Sequence, residues 1–99
     1  MFARLVIFRV GSGKRSAIEK LVNKFDALYR VQKGFKHVFI VGDEASGEYG
    51  SFSVWESKED ADAANAVIAS RLQQALAEVL QGPPDRWFFE VLESKSDDT

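Results

Sequence analysis

The chain has 99 residues, of which 45% are hydrophobic and 28% charged, with a formal net charge of −2. This length suits one domain, and the charge balance lacks the basic excess typical of nucleic-acid or membrane-surface binding. The absence of cysteine excludes disulfides, thiol nucleophiles and cysteine-ligated metal centres, and with His37 as the single histidine we expect no metal site. The apolar run Leu5–Phe8 is too short to be a signal or membrane segment, so we expect a cytoplasmic protein.

Strand and helix signals alternate along the first half of the chain. Phe2–Val10 is rich in β-branched and aromatic residues, which predicts a strand. Helical spacing of apolar residues then predicts a helix near Ser16–Glu19, which has the form of a capping box, and Gly34 predicts its end. Residues 36–41 predict a second strand, followed by a loop of turn-forming residues at 42–47.

The second half repeats the pattern. Residues 48–56 alternate in polarity, which predicts a strand that forms a hairpin with the preceding one. Ser57 has the position of a helix N-cap, and Gly82-Pro83-Pro84 predicts the end of that second helix. Residues 86–93 predict the last strand, and 94–99 are expected to be a flexible tail.

The order βαββαβ predicts a ferredoxin-like α+β domain over residues 1–93. This fold is a four-stranded antiparallel sheet with two helices on one face. Its bare face is normally polar, yet here Leu5 and Ile7 point opposite to Val6 and Phe8, so both faces are apolar. Because so large an exposed apolar face is unusual on a monomer, we expect the sheet to pack on a second copy.

A glycine-rich segment, Val10–Ser16, lies between the first strand and helix. Against the Walker pattern, Phe8 replaces the first glycine and Arg15 replaces the hydroxyl residue that binds magnesium. A chain-reversing turn accounts for the glycines, so no phosphate site is predicted there.

One longer segment resembles a known family. Ser53–Ala66, SVWESKEDADAANA, resembles the antibiotic biosynthesis monooxygenase domain of the dimeric α/β-barrel superfamily. Gly13-Lys14 and Gly34-Phe35 fit its pattern, although the family often has proline where this chain has Lys33. The resemblance covers residues 1–93 and implies a homodimer whose two sheets form a barrel.

The resemblance also implies a range of activities. The family includes oxygenases that oxidise quinol-like or polycyclic aromatic substrates without metal or flavin, and relatives that degrade haem. The haem-degrading members use an asparagine, a tryptophan and a histidine where this chain has Val6, Ala64 and Gln74. The expected activity is therefore cofactor-independent monooxygenation of a quinol-like or aromatic metabolite.

Such chemistry needs an electron-rich phenol, an apolar pocket, a base and donors that stabilise the developing anion. His37 is the candidate base because histidine titrates in the useful range, and Arg4 or Arg9 is the candidate anion stabiliser. The candidates for the substrate-binding pocket wall are Tyr29, Tyr49, Trp55 and Trp87.

Structural interpretations of the same residues stay open. His37 can be a solvated strand residue, the tryptophans can be core or dimer contacts, and the arginines can pair with Glu90 or Glu93 at strand ends. The chain can accordingly be an enzyme, a non-catalytic small-molecule-binding module of the same fold, or a structural dimer with a filled interior. Sequence alone does not decide whether it is an enzyme.

Overall fold

The structure, a computed structural model, describes residues 1–92. Its elements are β1 (Phe2–Arg9), α1 (Arg15–Arg30), β2 (Phe35–Asp43), β3 (Glu48–Trp55), α2 (Lys58–Leu76) and β4 (Asp85–Glu90). The predicted tail, 94–99, and the predicted end of the last strand at Glu93 lie outside the described residues. The element order confirms the predicted ferredoxin-like α+β fold.

The four strands form one sheet in the order β2-β3-β1-β4, and every neighbouring pair is antiparallel. β1 lies inside the sheet, where Arg4 is opposite Ser53 on one side and opposite Phe88 on the other. Both helices pack on the side of the sheet that carries Arg4. Because side chains alternate along a strand, the neighbours Ala3 and Leu5 point to the other side.

Helix α1 begins differently from the prediction. Lys14 is the N-cap without a side-chain cap bond, and Ser16 lies inside the first turn, so the predicted capping box is wrong. The turn through Gly11 and Gly13, with φ values of 81° and 80°, delivers the chain into the helix before Ser16. The Ile18 amide bonds to the Lys14 carbonyl at 3.1 Å, which shows that the helix is already under way there.

Helix α2 begins as predicted and ends early. The Ser57 hydroxyl accepts a hydrogen bond from the Asp60 amide at 3.2 Å, which confirms the N-cap. The helix stops at Leu76, well before the prolines, since the chain there turns back to the sheet and the Gln81 amide bonds to the Arg9 carbonyl at 2.8 Å. Neither helix in the described part of the chain is long and apolar enough to cross a membrane.

The core between sheet and helices has two separate parts. One cluster contains Phe25, Tyr29, Trp55, Ala61, Ala64 and Ile68. The other contains Phe8, Val10, Ile18, Tyr49 and Leu76. Leu21 and Leu72 touch both clusters from the helices. The break between the two clusters is the feature that positions the site described below.

The opposite side of the sheet carries an apolar surface that no helix covers, here called the open face. It consists of Leu5, Ile7, Phe39, Val41, Phe52, Val54, Trp87 and Phe89. Phe39 is 57% exposed and Trp87 43% exposed, so large aromatic area is in contact with water in the single chain. Apolar residues thus lie on both sides of the sheet, as the sequence predicts.

Candidate functional site

The break in the core is a cavity between the sheet and the two helices. Its floor includes Val6 and Phe8 from β1, and its roof includes Phe25 from α1 and Leu72 from α2. Its volume is about 60 Å³ and it opens to solvent at one end. A closed apolar cavity that accepts benzene measures about 150 Å³. An aromatic ligand must therefore extend into the opening or displace flexible side chains there.

Arg4 brings a charge into this apolar cavity. Its side chain lies on the helix-facing side of a central strand and is only 2% exposed. Its Nε atom is buried without a hydrogen-bond partner, and its Cζ atom lies 5.9 Å from the centre of the Phe88 ring. Burial lowers the pKa of Arg4, but a guanidinium remains charged at neutral pH. A buried charge without a carboxylate is costly to keep, which points to a role beyond packing.

Tyr29 and Ser51 form the second polar group of the wall. The Tyr29 hydroxyl lies 2.7 Å from Ser51 Oγ, and the tyrosine ring is 3% exposed. Burial raises the pKa of Tyr29, while Ser51 and the Arg4 charge act in the opposite direction. The phenol is therefore neutral at physiological pH and acts as a hydrogen-bonding group rather than a base.

Tyr49 supplies a further polar atom. Its hydroxyl is buried without a hydrogen-bond partner, although the ring lines the cavity and packs on Phe8 with ring centres 6.5 Å apart. Gly42 lies directly across the hairpin, where a Cβ would come within 2.3 Å of Tyr49 Cδ1. The glycine thus makes room for the ring. An unpaired hydroxyl here is free to donate a hydrogen bond to a ligand oxygen.

The structure brings together half of the predicted site residues. Arg4, Tyr29 and Tyr49 line the cavity. Trp55 lies behind its wall, fully buried, with its Nε1 donating to Ser53 Oγ at 2.9 Å and its ring 6.1 Å from that of Tyr29. The tryptophan supports the cavity without lining it.

His37 and Trp87 lie elsewhere. His37 is exposed, with its ring centre 4.4 Å from that of Phe39, and it points to the open face. Trp87 is opposite Leu5 in the sheet and also points to the open face. Neither side chain reaches the cavity of its own chain.

The second candidate arginine, Arg9, is also outside the cavity. Its Nη1 lies 2.9 Å from an Asp85 carboxylate oxygen, and its Nε lies 3.3 Å from a Glu48 oxygen. The predicted pairing of Arg9 with Glu90 is wrong because the antiparallel register places the beginning of β4, not its end, beside the end of β1.

Two cavity residues, Ser51 and Arg86, are absent from the predicted set. Ser51 lies two positions after Tyr49 in β3, so the period of a strand places both on the same face and would have indicated it. Arg86 is adjacent to Trp87, and only the register with β1 shows which of the two faces the helices.

Comparison with solved structures shows the same fold in several proteins, whereas no protein-family model and no curated protein matches the sequence. A protein of unknown function from Nitrosomonas europaea has a TM-score of 0.82 and 20% identity, covering 99% of this chain and 95% of that chain. A monooxygenase from Streptomyces coelicolor, in complex with nanaomycin D, has a TM-score of 0.75 and 18% identity over 98% and 92% of the two chains. A cofactor-independent oxygenase from Streptomyces nogalater has a TM-score of 0.71 and 16% identity over 94% of each chain.

The chain has the fold of the antibiotic biosynthesis monooxygenases. At these identities the likeness establishes the fold, and the chemistry must be argued from the side chains of the cavity.

The charges lining this monooxygenase fold are of one sign. Arg4 and Arg86 line the cavity, and no aspartate, glutamate, lysine or histidine of residues 1–92 does so. The cavity therefore offers positive charge, two tyrosines and apolar walls, but no side chain that acts as a base near neutral pH. Such an environment stabilises an aromatic anion rather than removing its proton by direct transfer.

Haem does not fit this cavity. A title in the comparison describes one protein with the same fold, MhuD, with manganese protoporphyrin IX bound. In this chain no histidine, cysteine or methionine lines the cavity within residues 1–92, and about 60 Å³ is far too little for a porphyrin. Helix α2 lines the cavity here with the bulky Ile68 and Leu72.

Proposed function

We propose that the chain is a small oxygenase that binds an electron-rich phenol in the cavity and oxidises it with O₂, using no metal or flavin. The observation that carries the proposal is the buried guanidinium of Arg4, which has an unpaired Nε in an otherwise apolar cavity. The shared fold with a cofactor-independent oxygenase supports it.

In the proposed reaction, Arg4 stabilises the phenolate form of the bound substrate and so lowers the pKa of the phenol. The phenol proton leaves through the open end of the cavity, since no lining residue accepts it. The phenolate gives one electron to O₂, and the resulting radical and superoxide combine at a ring carbon. Loss of water then gives a quinone: the substrate loses two hydrogens and gains one oxygen atom, and the second oxygen leaves with those hydrogens as water.

The apolar walls and the tyrosines have separate tasks in this scheme. Val6, Phe8 and Phe25 exclude water from the reacting ring, which strengthens the field of Arg4. Tyr49 donates its free hydroxyl to a substrate oxygen, and Tyr29 is held in place by Ser51. These groups orient the ring.

The test is O₂ consumption with a panel of naphthols and hydroquinones. We expect Arg4→Met to reduce the rate at least about tenfold, because a hydrogen bond to a charged group contributes about 1.5–3 kcal/mol. Arg71→Gln, which removes an exposed arginine that does not line the cavity, is the matched control and should keep the rate. Equal rates for Arg4→Met and the parent would contradict the proposal.

The same assay tests His37 as the base. Since His37 lies on the open face, we expect His37→Ala to retain the parent rate. A rate lost in His37→Ala and kept in Arg4→Met would move the reaction to the other side of the sheet.

A non-catalytic binding module is the second candidate function. The absence of a base among the lining residues of the described chain and the small cavity volume favour it. It predicts binding of aromatic ligands without O₂ consumption by any phenol of the panel. A structural dimer, the third alternative, predicts neither binding nor consumption.

The proposed assembly is a homodimer in which two open faces pack together as a barrel. Phe39, Trp87 and Phe89 are all between 43% and 57% exposed in the single chain, and they belong to a continuous apolar surface. Burying about 1 Å² of apolar area contributes about 25 cal/mol, so a patch of this kind favours self-association. The cytoplasmic location stays a prediction from composition.

A further inference from the structure

We propose that the ligand of the cavity carries a carboxylate, which binds between Arg4 and Arg86 while its aromatic ring lies among the apolar walls. This inference rests on the proposed function, since it places the ligand in the same cavity, and it names the class of substrate: a hydroxyaryl carboxylate. Neither the fold nor the comparisons assign such a group.

The sheet register sets the two arginines beside each other. Arg4 is opposite Phe88, and Arg86 is opposite Val6, so Arg4 and Arg86 occupy diagonal positions on neighbouring antiparallel strands. Diagonal residues on one face are about 7–8 Å apart at the backbone, within reach of two long side chains. Both arginines line the cavity. Arg4 is buried and Arg86 is exposed, so one guanidinium is deep and the other is at the opening.

The two guanidiniums have no acidic partner in the cavity. No aspartate or glutamate of residues 1–92 lines it or forms a salt bridge with either arginine there. Asp62 of α2 acts on Arg4 from a distance, but its carboxylate is held by Lys58 Nζ at 2.9 Å. After burial and the opposing effect of Tyr29, the charge of Arg86 is the next influence on the pKa of Arg4, and it lowers it. The arrangement is thus electrostatically incomplete.

A carboxylate completes it. Guanidinium groups bind carboxylates through paired N–H donors, and two of them around one carboxylate satisfy both of its oxygens. The Arg4 Nε atom is a buried donor without an acceptor, and the Tyr49 hydroxyl is a second unpaired group for an oxygen elsewhere on the ring. An anionic group at one end and a phenolic oxygen at the other match these donors.

The opening of the cavity also fits an acidic end. The volume of about 60 Å³ does not enclose a bicyclic ring, so part of the ligand lies in the opening. Pro84 and Arg86 line the cavity from the β4 side. A carboxylate there keeps partial contact with water, which reduces the cost of removing it from solvent.

The test compares two ligands that differ in one group, 6-hydroxy-2-naphthoate and the alcohol in which hydroxymethyl replaces the carboxylate. Their dissociation constants are measured by NMR titration with the parent protein, with Arg86→Gln and with Arg71→Gln. We expect the parent to bind the carboxylate at least about tenfold more tightly than the alcohol, and the preference to weaken as salt rises. Arg86→Gln should remove most of this preference, and the charge-matched Arg71→Gln should keep it.

Equal affinity of the parent for both ligands overturns the inference, as does a preference that survives Arg86→Gln. The comparison with the parent needs no variant, so a folding defect cannot hide the result. Failure of the inference is distinguishable from failure of the proposed function: binding of the alcohol with O₂ consumption, but without preference for the acid, removes only the carboxylate. Absence of binding of both ligands removes the cavity as a ligand site altogether.

Discussion

The Tyr29 hydroxyl lies 2.7 Å from Ser51 Oγ, and this contact joins helix α1 to strand β3 across the wall of the cavity. A hydrogen bond between two such hydroxyls contributes about 0.5–1.5 kcal/mol to stability. Tyr29→Phe and Ser51→Ala are each expected to lower the free energy of unfolding by about 1 kcal/mol. Urea unfolding of the single and double variants measures the coupling, and fully additive losses would show that the two hydroxyls do not interact.

Burial of Tyr29 also predicts a pH dependence. Its pKa is raised above the ordinary value of 10.0, mainly by burial, so the folded state keeps the proton at a pH where the unfolded chain releases it. The stabilisation is therefore complete below about pH 10 and is lost as pH rises further. Urea unfolding between pH 8 and pH 11 should show a smaller fall in stability for Tyr29→Phe than for the parent. Identical pH curves would contradict a buried, neutral phenol.

Arg4 is expected to reduce stability for the sake of its function. Arg4→Met replaces a buried, incompletely bonded charge by an apolar side chain of similar length. Such replacements are often neutral or stabilising, so we expect a free energy of unfolding that is unchanged or higher by about 1 kcal/mol or more. Thermal and urea unfolding measure it. A loss of stability larger than about 2 kcal/mol would indicate that Arg4 is a structural residue.

Filling the cavity should block ligand binding. Ala69 lines the cavity from α2, whereas Ala66 on the same helix is exposed and does not line it. Ala69→Phe is expected to abolish binding of naphthol ligands in an NMR titration, and Ala66→Phe should leave it unchanged. Equal binding by both variants would place the ligand elsewhere.

The open face predicts self-association. Sedimentation of the parent should give twice the chain mass of 11.1 kDa at micromolar concentration. Trp87→Glu places a charge in the centre of the apolar surface and should shift the protein to a monomer. Val31→Glu is the control, because Val31 is 78% exposed and is not part of the open face. A monomeric parent protein would refute the barrel.

The sequence predicted the order of the elements and the ferredoxin-like fold because the signals are local. Helical spacing, strand alternation and turn glycines depend on neighbouring residues, and they agree over nearly the whole described chain. The helix ends were less accurate: Ser16 fell inside α1, and α2 stopped at Leu76, since contacts with the sheet decide where each helix ends.

The membership of the site depended on which face of the sheet each residue occupies. Arg86 and Trp87 are neighbours in sequence, yet one lines the cavity and the other lies on the open face. In β2, the irregular register between Phe35 and His37 changes the alternation that a uniform strand would have. Because a shift of one residue reverses every side chain, only the assembled sheet shows the correct side.

By itself, then, the sequence determined the fold and the apolar character of both sides of the sheet, since composition and periodicity are properties of the linear chain. Tertiary structure decided that Arg4, Tyr29 and Tyr49 meet in one cavity and that His37 stays outside it. The physical reason is that helix packing selects one side of an alternating strand, and that choice is made by contacts between residues far apart in the chain.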